Sequence, residues 1–197
     1  DTLMVMDGFT ITGGYATGPD IQGQGGAWFN EGSGAGNNST PTIINCLIQM
    51  NFADLGGAFY NNGIDGGNSS PILVNCIISG NKAFFEAGGF YNAGQGMGSM
   101  SSPKLTNCIL SGNNGTGNAG GMYNVGIDGG NSSPLLVNCV VSGNTAQNGG
   151  GFLNYGFNGV SAPVIINCIL WNNEADPGGG NLFRNTNANP MVSIASY

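Results

Sequence analysis

The sequence predicts an all-β protein, a right-handed parallel β-helix (solenoid) of about six rungs. Three observations carry that expectation. Prolines at 41, 71, 103, 134 and 163 recur at intervals of 30, 32, 31 and 29 residues, and cysteines at 46, 76, 108, 139 and 168 keep the same intervals. Each proline opens a short run of β-formers that Gly and Asn then close, as in Ile43-Ile44-Asn45-Cys46-Leu47-Ile48. No stretch carries a helical 3.6-residue pattern. A fixed period near thirty residues is the signature of a repeat architecture. Two or three short strands per period, with no helix, make one rung. Parallel strands that follow one another need crossovers, which the other arms of the rung provide, and such crossovers are right-handed. The chain reads as a single domain over residues 1–197, with rungs near 1–39, 40–70, 71–102, 103–133, 134–162 and 163–197.

The elements follow in order. In the first rung Met4-Val5-Met6 and Phe9-Thr10-Ile11 read as strand. Gly8-Phe9-Thr10-Ile11 aligns with Asn75-Cys76-Ile77-Ile78, so Phe9 takes the cysteine position. The longest insertion, Tyr15 to Gln24, follows. In later rungs the proline stands at the strand start, where its missing N–H does no harm. A second strand covers Ala58-Phe59-Tyr60 and its equivalents. A third, short one lies in the Asn-Gly-Ile-Asp-Gly-Gly region or just before the proline. The last copy, Gly178-Gly179-Gly180-Asn181-Leu182-Phe183, is degraded, as terminal repeats tend to be.

Rungs stack at about 4.8 Å, so like residues form columns. Asn45, Asn75, Asn107, Asn138 and Asn167 make one asparagine column. Asn51, Asn81, Asn113, Asn144 and Asn173 make a second, and Asn30, Asn61, Asn92, Asn124 and Asn154 a third. Asn tolerates the left-handed region at a corner, and its amide can bond the copies above and below. Gly26, Gly57, Gly88, Gly120, Gly150 and Gly179 stand where φ is positive or where the backbone leaves no room for a Cβ. Cys46, Cys76, Cys108, Cys139 and Cys168 read first as buried, reduced apolar fillers. Disulfides between neighbouring rungs are the alternative. A thiolate metal site would want CxxC or histidine partners, and neither is present.

The proline-to-cysteine strand is apolar on both parities. Either the chain bends at the asparagine corner and both sets point inward, or one set stays outside. In the second case Leu73, Leu105, Leu136 and Ile165 run beside Ile77, Ile109, Val140 and Ile169 as an exposed stripe. A stripe of that length on a soluble protein marks a contact surface.

Composition narrows the function. Charged residues make up 7%, and ten acids against three bases (Lys82, Lys104, Arg184) leave a net charge of −7. No basic cluster is present to bind a phosphate backbone, which argues against nucleic acid. The absence of histidine removes the commonest general base and metal ligand. No apolar run reaches the roughly 18–20 residues of a membrane span. The chain opens on Asp1 rather than Met and reads as a processed product or a fragment.

Two motifs carry a resemblance. One is Asp7-Gly8-Phe9-Thr10-Ile11-Thr12-Gly13-Gly14; the other is the recurring Ser-Ser-Pro, Asn-Cys, Ser-Gly-Asn and Gly-Gly-Phe-Tyr-Asn series. The chain resembles the right-handed β-helix repeats of bacterial surface proteins of the polymorphic outer-membrane-protein and choice-of-anchor type, within the pectin-lyase-like superfamily. The resemblance implies a secreted or surface-attached protein, adhesin-like in role. Leu and Ile stand where that group commonly carries Thr, which implies a more associative surface.

Candidate chemistry is sparse. Asp65 and Asp128 sit in near-identical Gly-Ile-Asp-Gly-Gly-Asn-Ser-Ser loops. Two rungs separate them, or about 10 Å. Either could hold a loose Ca²⁺ with backbone carbonyls; no other cofactor is expected. No third group lies between them, and Asp54, Glu86, Glu174 and Asp176 read as solvated loop acids. The sequence therefore points to a non-enzymatic extracellular or cell-surface module. It is expected to self-associate into filaments or surface assemblies, through its rung ends or the apolar stripe. A module that binds or cleaves surface glycans through the Asp65 and Asp128 loops is the alternative.

Overall fold

The computed structural model describes residues 4–177, 183–186 and 193–195. They form an all-β parallel solenoid of about five turns, close to the six expected. One short 3₁₀ helix, Asp20–Gly23, inside the long insertion, is the helical element among the described residues.

Each turn uses four short strands, where the sequence suggested two or three. In one complete turn they are β1 (Leu135–Val137), β2 (Val140–Ser142), β3 (Thr145–Asn148) and β4 (Phe152–Phe157). Each belongs to a parallel sheet that runs the length of the solenoid, with seven strands in the β1 sheet and six in each of the others. Pairing is in register, like over like: Leu105↔Leu136↔Ile165 in the β1 sheet and Leu110↔Val141↔Leu170 in the β2 sheet. A fifth, minimal ribbon lies just before the prolines, where Asn38–Ser39 pairs with Asn68–Ser69 and single bridges continue through Met100, Asn131 and Val160.

Backbone conformation at the corners explains the four-strand turn. The proline-to-cysteine run is two strands, not one, because Asn45, Asn75, Asn107, Asn138 and Asn167 all sit at φ between 52° and 54°. Asn tolerates this left-handed geometry where a branched residue would not. The left-handed residue reverses the parity of the side chains that follow it. Leu136 points inward before the corner, and Cys139 and Val141 point inward after it. The corner before the glycine column is also left-handed, at Gly25, Gly56, Ala87, Ala119 and Gly149.

The glycine column itself lacks positive φ. Its glycines are required by close approach instead: a Cβ on Gly57 would stand 2.6 Å from the Gly88 carbonyl oxygen, and one on Gly26 2.3 Å from that of Gly57. Gly179 lies outside the described residues.

The core is layered by sheet. The β1 sheet supplies Ile43, Leu73, Leu105, Leu136 and Ile165, and the β2 sheet supplies Ile48, Ile78, Leu110 and Val141. The β4 sheet closes it with Phe59, Phe90, Met122 and Phe152. Phe59 and Phe90 stack at 4.6 Å between ring centroids with planes 2° apart, a geometry imposed by the rung spacing. The cysteines line the same core as free thiols, four of them buried and Cys168 half-buried. Phe9 does take the cysteine register, and its N–H reaches Cys46 Sγ at 3.4 Å, but its ring is exposed.

Candidate functional site

The expected apolar stripe divides at the asparagine corner. Leu73, Leu105, Leu136 and Ile165 are no more than 1% exposed and belong to the core, contrary to their placement in the stripe. The cause is the parity reversal: they precede the left-handed Asn and face in. Their counterparts after the corner face out. Ile77 is 40% exposed, Ile109 38% and Ile169 63%, with Val140 and Leu47 half-buried. These side chains form one aliphatic column on the outside of the β2 sheet, in register over five turns. Across the corner the β1 sheet adds a second, half-buried column of Ile44, Val74, Thr106, Val137 and Ile166. A one-residue bulge in the strand Lys82–Glu86 adds Phe84 and Phe85, both more than half exposed. Nothing in the thirty-residue period announced this pair.

The three asparagine columns differ in role. The corner column is an exposed ladder, in which Asn75 Nδ2 donates to Asn45 Oδ1 at 3.2 Å and Asn45 Nδ2 donates to Asp7 Oδ1 at 2.8 Å. The other two columns have ordinary φ and are buried, so the corner explanation does not apply to them. In the Asn51 column the amides of Asn51, Asn81, Asn113 and Asn144 are fully bonded. Asn113 Oδ1 accepts from both the N–H and the Nδ2 of Asn81, while Asn113 Nδ2 donates to Ile78 O and Asn144 Oδ1, all at 3.0 Å. In the Asn30 column Asn61, Asn92 and Asn124 each donate to the next turn at 2.7–2.8 Å. Buried serines add a column the sequence reading missed: Ser69, Ser101, Ser132 and Ser161 donate to the carbonyls of Asn30, Asn61, Asn92 and Asn124.

Sulfur forms a comparable chain. The N–H of Cys108 donates to Cys139 Sγ at 3.4 Å, and that of Cys139 to Cys168 Sγ at 3.2 Å. The thiol neighbours Cys139 and Cys76 push the Cys108 thiol well up, and burial adds to this. The hydrogen bond from Cys108 draws Cys76 and Cys139 down to about 7 against the burial that raises them. Among the described residues no group of three metal-ligating side chains comes together.

Asp65 and Asp128 both lie on exposed loops with positive φ, at 56° and 50°. Asp65 N–H bonds Gln95 O on the next turn, and Asp128 N–H bonds Phe157 O. The two carboxylates thus belong to separate turns, with the Gln95-Gly96 turn between them, and among the described residues no group of three metal-ligating side chains includes either.

Glu86 corrects the expectation of solvated loop acids. It is half-buried, burial raises its carboxyl above the usual range, and the hydrogen bond from Asn118 Nδ2 at 2.8 Å partly offsets this. It lies beside a row of phenols, Tyr60, Tyr91 and Tyr123, on the outer face of the β4 sheet. Burial pushes Tyr60 up to about 12, and the charges of Glu86 and Glu31 add to it. Tyr91 and Tyr123 are raised in the same way. The Tyr60 and Tyr91 rings stack at 4.8 Å and form a second, smaller apolar cluster with Ala87, Ala93 and Val125. The sign for stability follows from the raised carboxyl. Folding favours its protonated form, so the protein holds that stability below the unfolded value and loses it as pH rises through the folded one. Glu86→Gln keeps the Asn118 contact without the charge. Its melting temperature is expected to exceed that of the parent at pH 7 and to converge with it below pH 4. Thermal melts at the two pH values check this.

Comparison with known proteins returns no matching family model, no matching curated protein and no matching solved structure.

Proposed function

We propose that this protein is a non-enzymatic structural or adhesive solenoid of the cell surface or extracellular space that self-associates laterally. The outward aliphatic column Leu47, Ile77, Ile109, Val140 and Ile169 carries the reading, with Ile77, Ile109 and Ile169 its exposed members. It is in register over five turns and flanked by the half-buried column of the β1 sheet. An in-register parallel sheet with an outward aliphatic row presents a β-branched or leucine side chain at every rung spacing, so a second such row can pack along it. Sequence features support the location: the chain resembles bacterial surface β-helix repeats, and its acidic, histidine-free composition suits a scaffold.

The test is size-exclusion chromatography with light scattering over a concentration series. The expected mass exceeds one chain and rises with concentration, and the double variant Ile77→Ser/Ile109→Ser falls back towards one chain. A strict monomer at the highest soluble concentration would remove the proposal.

A further inference from the structure

The polar ribbon before the prolines is interrupted at Met100, between two asparagines, and ends on Val160. In this ribbon Asn68, Met100 and Asn131 stack in successive turns, and Ser70, Ser102 and Ser133 stack beside them. Ser70 Oγ donates to Asn68 Oδ1, and Ser133 Oγ donates to Asn131 Oδ1, both at 2.6 Å. Ser102 faces Met100 in the same position and finds no oxygen there. Its hydroxyl accepts the Ser133 N–H at 2.9 Å, but its own proton has no protein acceptor among the described residues. The amide column breaks at the same place. Asn68 Nδ2 donates to Asn38 Oδ1 at 3.2 Å, whereas Asn131 has Met100, not an amide, on the turn before it.

This interruption opens onto a groove of about 340 Å³ whose lining includes Ser102, Met100, Ile72, Leu135 and Lys104. Lys104 stands in register between Ile72 and Leu135, so one cation interrupts an aliphatic row. It is exposed, it is one of three basic residues in a chain of net charge −7, and no ion pair engages it among the described residues. The groove therefore combines a lone ammonium, a hydroxyl with a proton to give, and the apolar side chains of Ile72, Met100 and Leu135, with Thr40, Asn68, Ser70 and Ser133 completing a polar side. The Ser70 and Ser133 protons are already given to Asn68 and Asn131, so the ammonium and the Ser102 hydroxyl together match a singly charged, planar acceptor. The apolar side chains match an aliphatic body. The volume lies at the lower end of the roughly 300–1,000 Å³ typical of small-molecule sites.

We propose that this groove binds a small amphiphilic carboxylate. The headgroup lies between Lys104 Nζ and the Ser102 hydroxyl, and the hydrocarbon lies along Met100, Ile72 and Leu135. The site is independent of the outward aliphatic column of the β2 sheet.

Hexanoate serves as the probe, 1-hexanol as the uncharged control, and backbone amide shifts of the full chain as the readout. Hexanoate is expected to shift the amides around residues 100–104 saturably, and 1-hexanol is not. Lys104→Met removes the charge. Met100→Asn restores the amide column and gives Ser102 an oxygen to bond. Each variant is expected to weaken binding by about tenfold or more, the scale of a charge-assisted hydrogen bond. Met100→Asn is expected to stay folded, since Asn occupies that position in the turns on either side, and its circular dichroism spectrum checks that a loss of binding is not a loss of fold. Equal binding of 1-hexanol, unchanged affinity in both variants, or no saturable shift would overturn the proposal. So would a result in which hexanoate is inert but Lys104→Met lowers the mass seen by light scattering, because the groove would then hold a carboxylate of a second copy.

Discussion

Asn113→Ala is expected to destabilise the protein by roughly 2–6 kcal/mol, because two buried donors lose their acceptor at once. Asn113 Oδ1 takes both the N–H and the Nδ2 of Asn81, and Asn113 Nδ2 gives to Ile78 O. The site is fully buried, so water cannot replace these partners. A domain of this size is stable by only about 5–15 kcal/mol, so the variant uses up a large part of that margin. The control is one column away. Asn107 has the same residue type and the same period, but it is exposed and sits at φ 54°. Asn107→Gly keeps that geometry and is expected to change stability by no more than about 1 kcal/mol. Urea unfolding of the two variants, read by circular dichroism, separates a buried amide column from a corner ladder. Equal losses would contradict the assignment.

Gly120→Ala is expected to cost about 3–5 kcal/mol or to abolish soluble expression, through overpacking of backbone on backbone. The new Cβ would stand 2.4 Å from Thr145 N and 2.5 Å from Gly150 O, and neither is the flexible end of a side chain. Relief requires two turns to separate, which breaks pairing in the sheet around them. Gly112 supplies the comparison. Its φ is 61°, and the nearest atom to an added Cβ is Gly80 N at 4.0 Å. Gly112→Ala therefore meets only the dihedral cost, about 1–2 kcal/mol. Thermal denaturation should rank Gly120→Ala far below Gly112→Ala; the reverse order would mean that the glycine column serves conformation rather than close approach.

The period made the architecture legible. Proline and cysteine at matched intervals placed like over like, and the columns of Cys46 to Cys168 and Asn45 to Asn167 follow from that alone. What the period could not show is direction. Leu136 and Val140 have the same parity in a straight strand, and only the left-handed Asn138 between them turns one inward and the other outward. An Asn before a Cys does not announce its φ, so the sequence leaves open whether both rows turn inward or both form a stripe, and the fold takes neither course: one row is core and the other faces out. The buried amide columns look identical to the corner column in sequence, because all three are Asn at one phase. Glu86 and the tyrosine row were missed for a related reason. Their proximity arises where the third strand of each turn bends towards the fourth, and that strand is too variable, from Phe52-Ala53-Asp54-Leu55 to Asn114-Gly115-Thr116-Gly117-Asn118, to be seen as a strand at all. The Ser102–Met100 interruption, by contrast, is visible in the sequence once the ribbon is known, because Ser-Met-Ser-Ser stands where Gly-Asn-Ser-Ser recurs.

Scalar couplings across hydrogen bonds, measured on isotope-labelled protein, test the stacking of repeats most directly. The N–H of Ile77, Ile109, Val140 and Ile169 should couple to the carbonyls of Cys46, Cys76, Cys108 and Cys139 respectively, each one repeat earlier in the chain. Couplings to partners within the same repeat, as hairpins would give, would contradict the solenoid and every site placed on it.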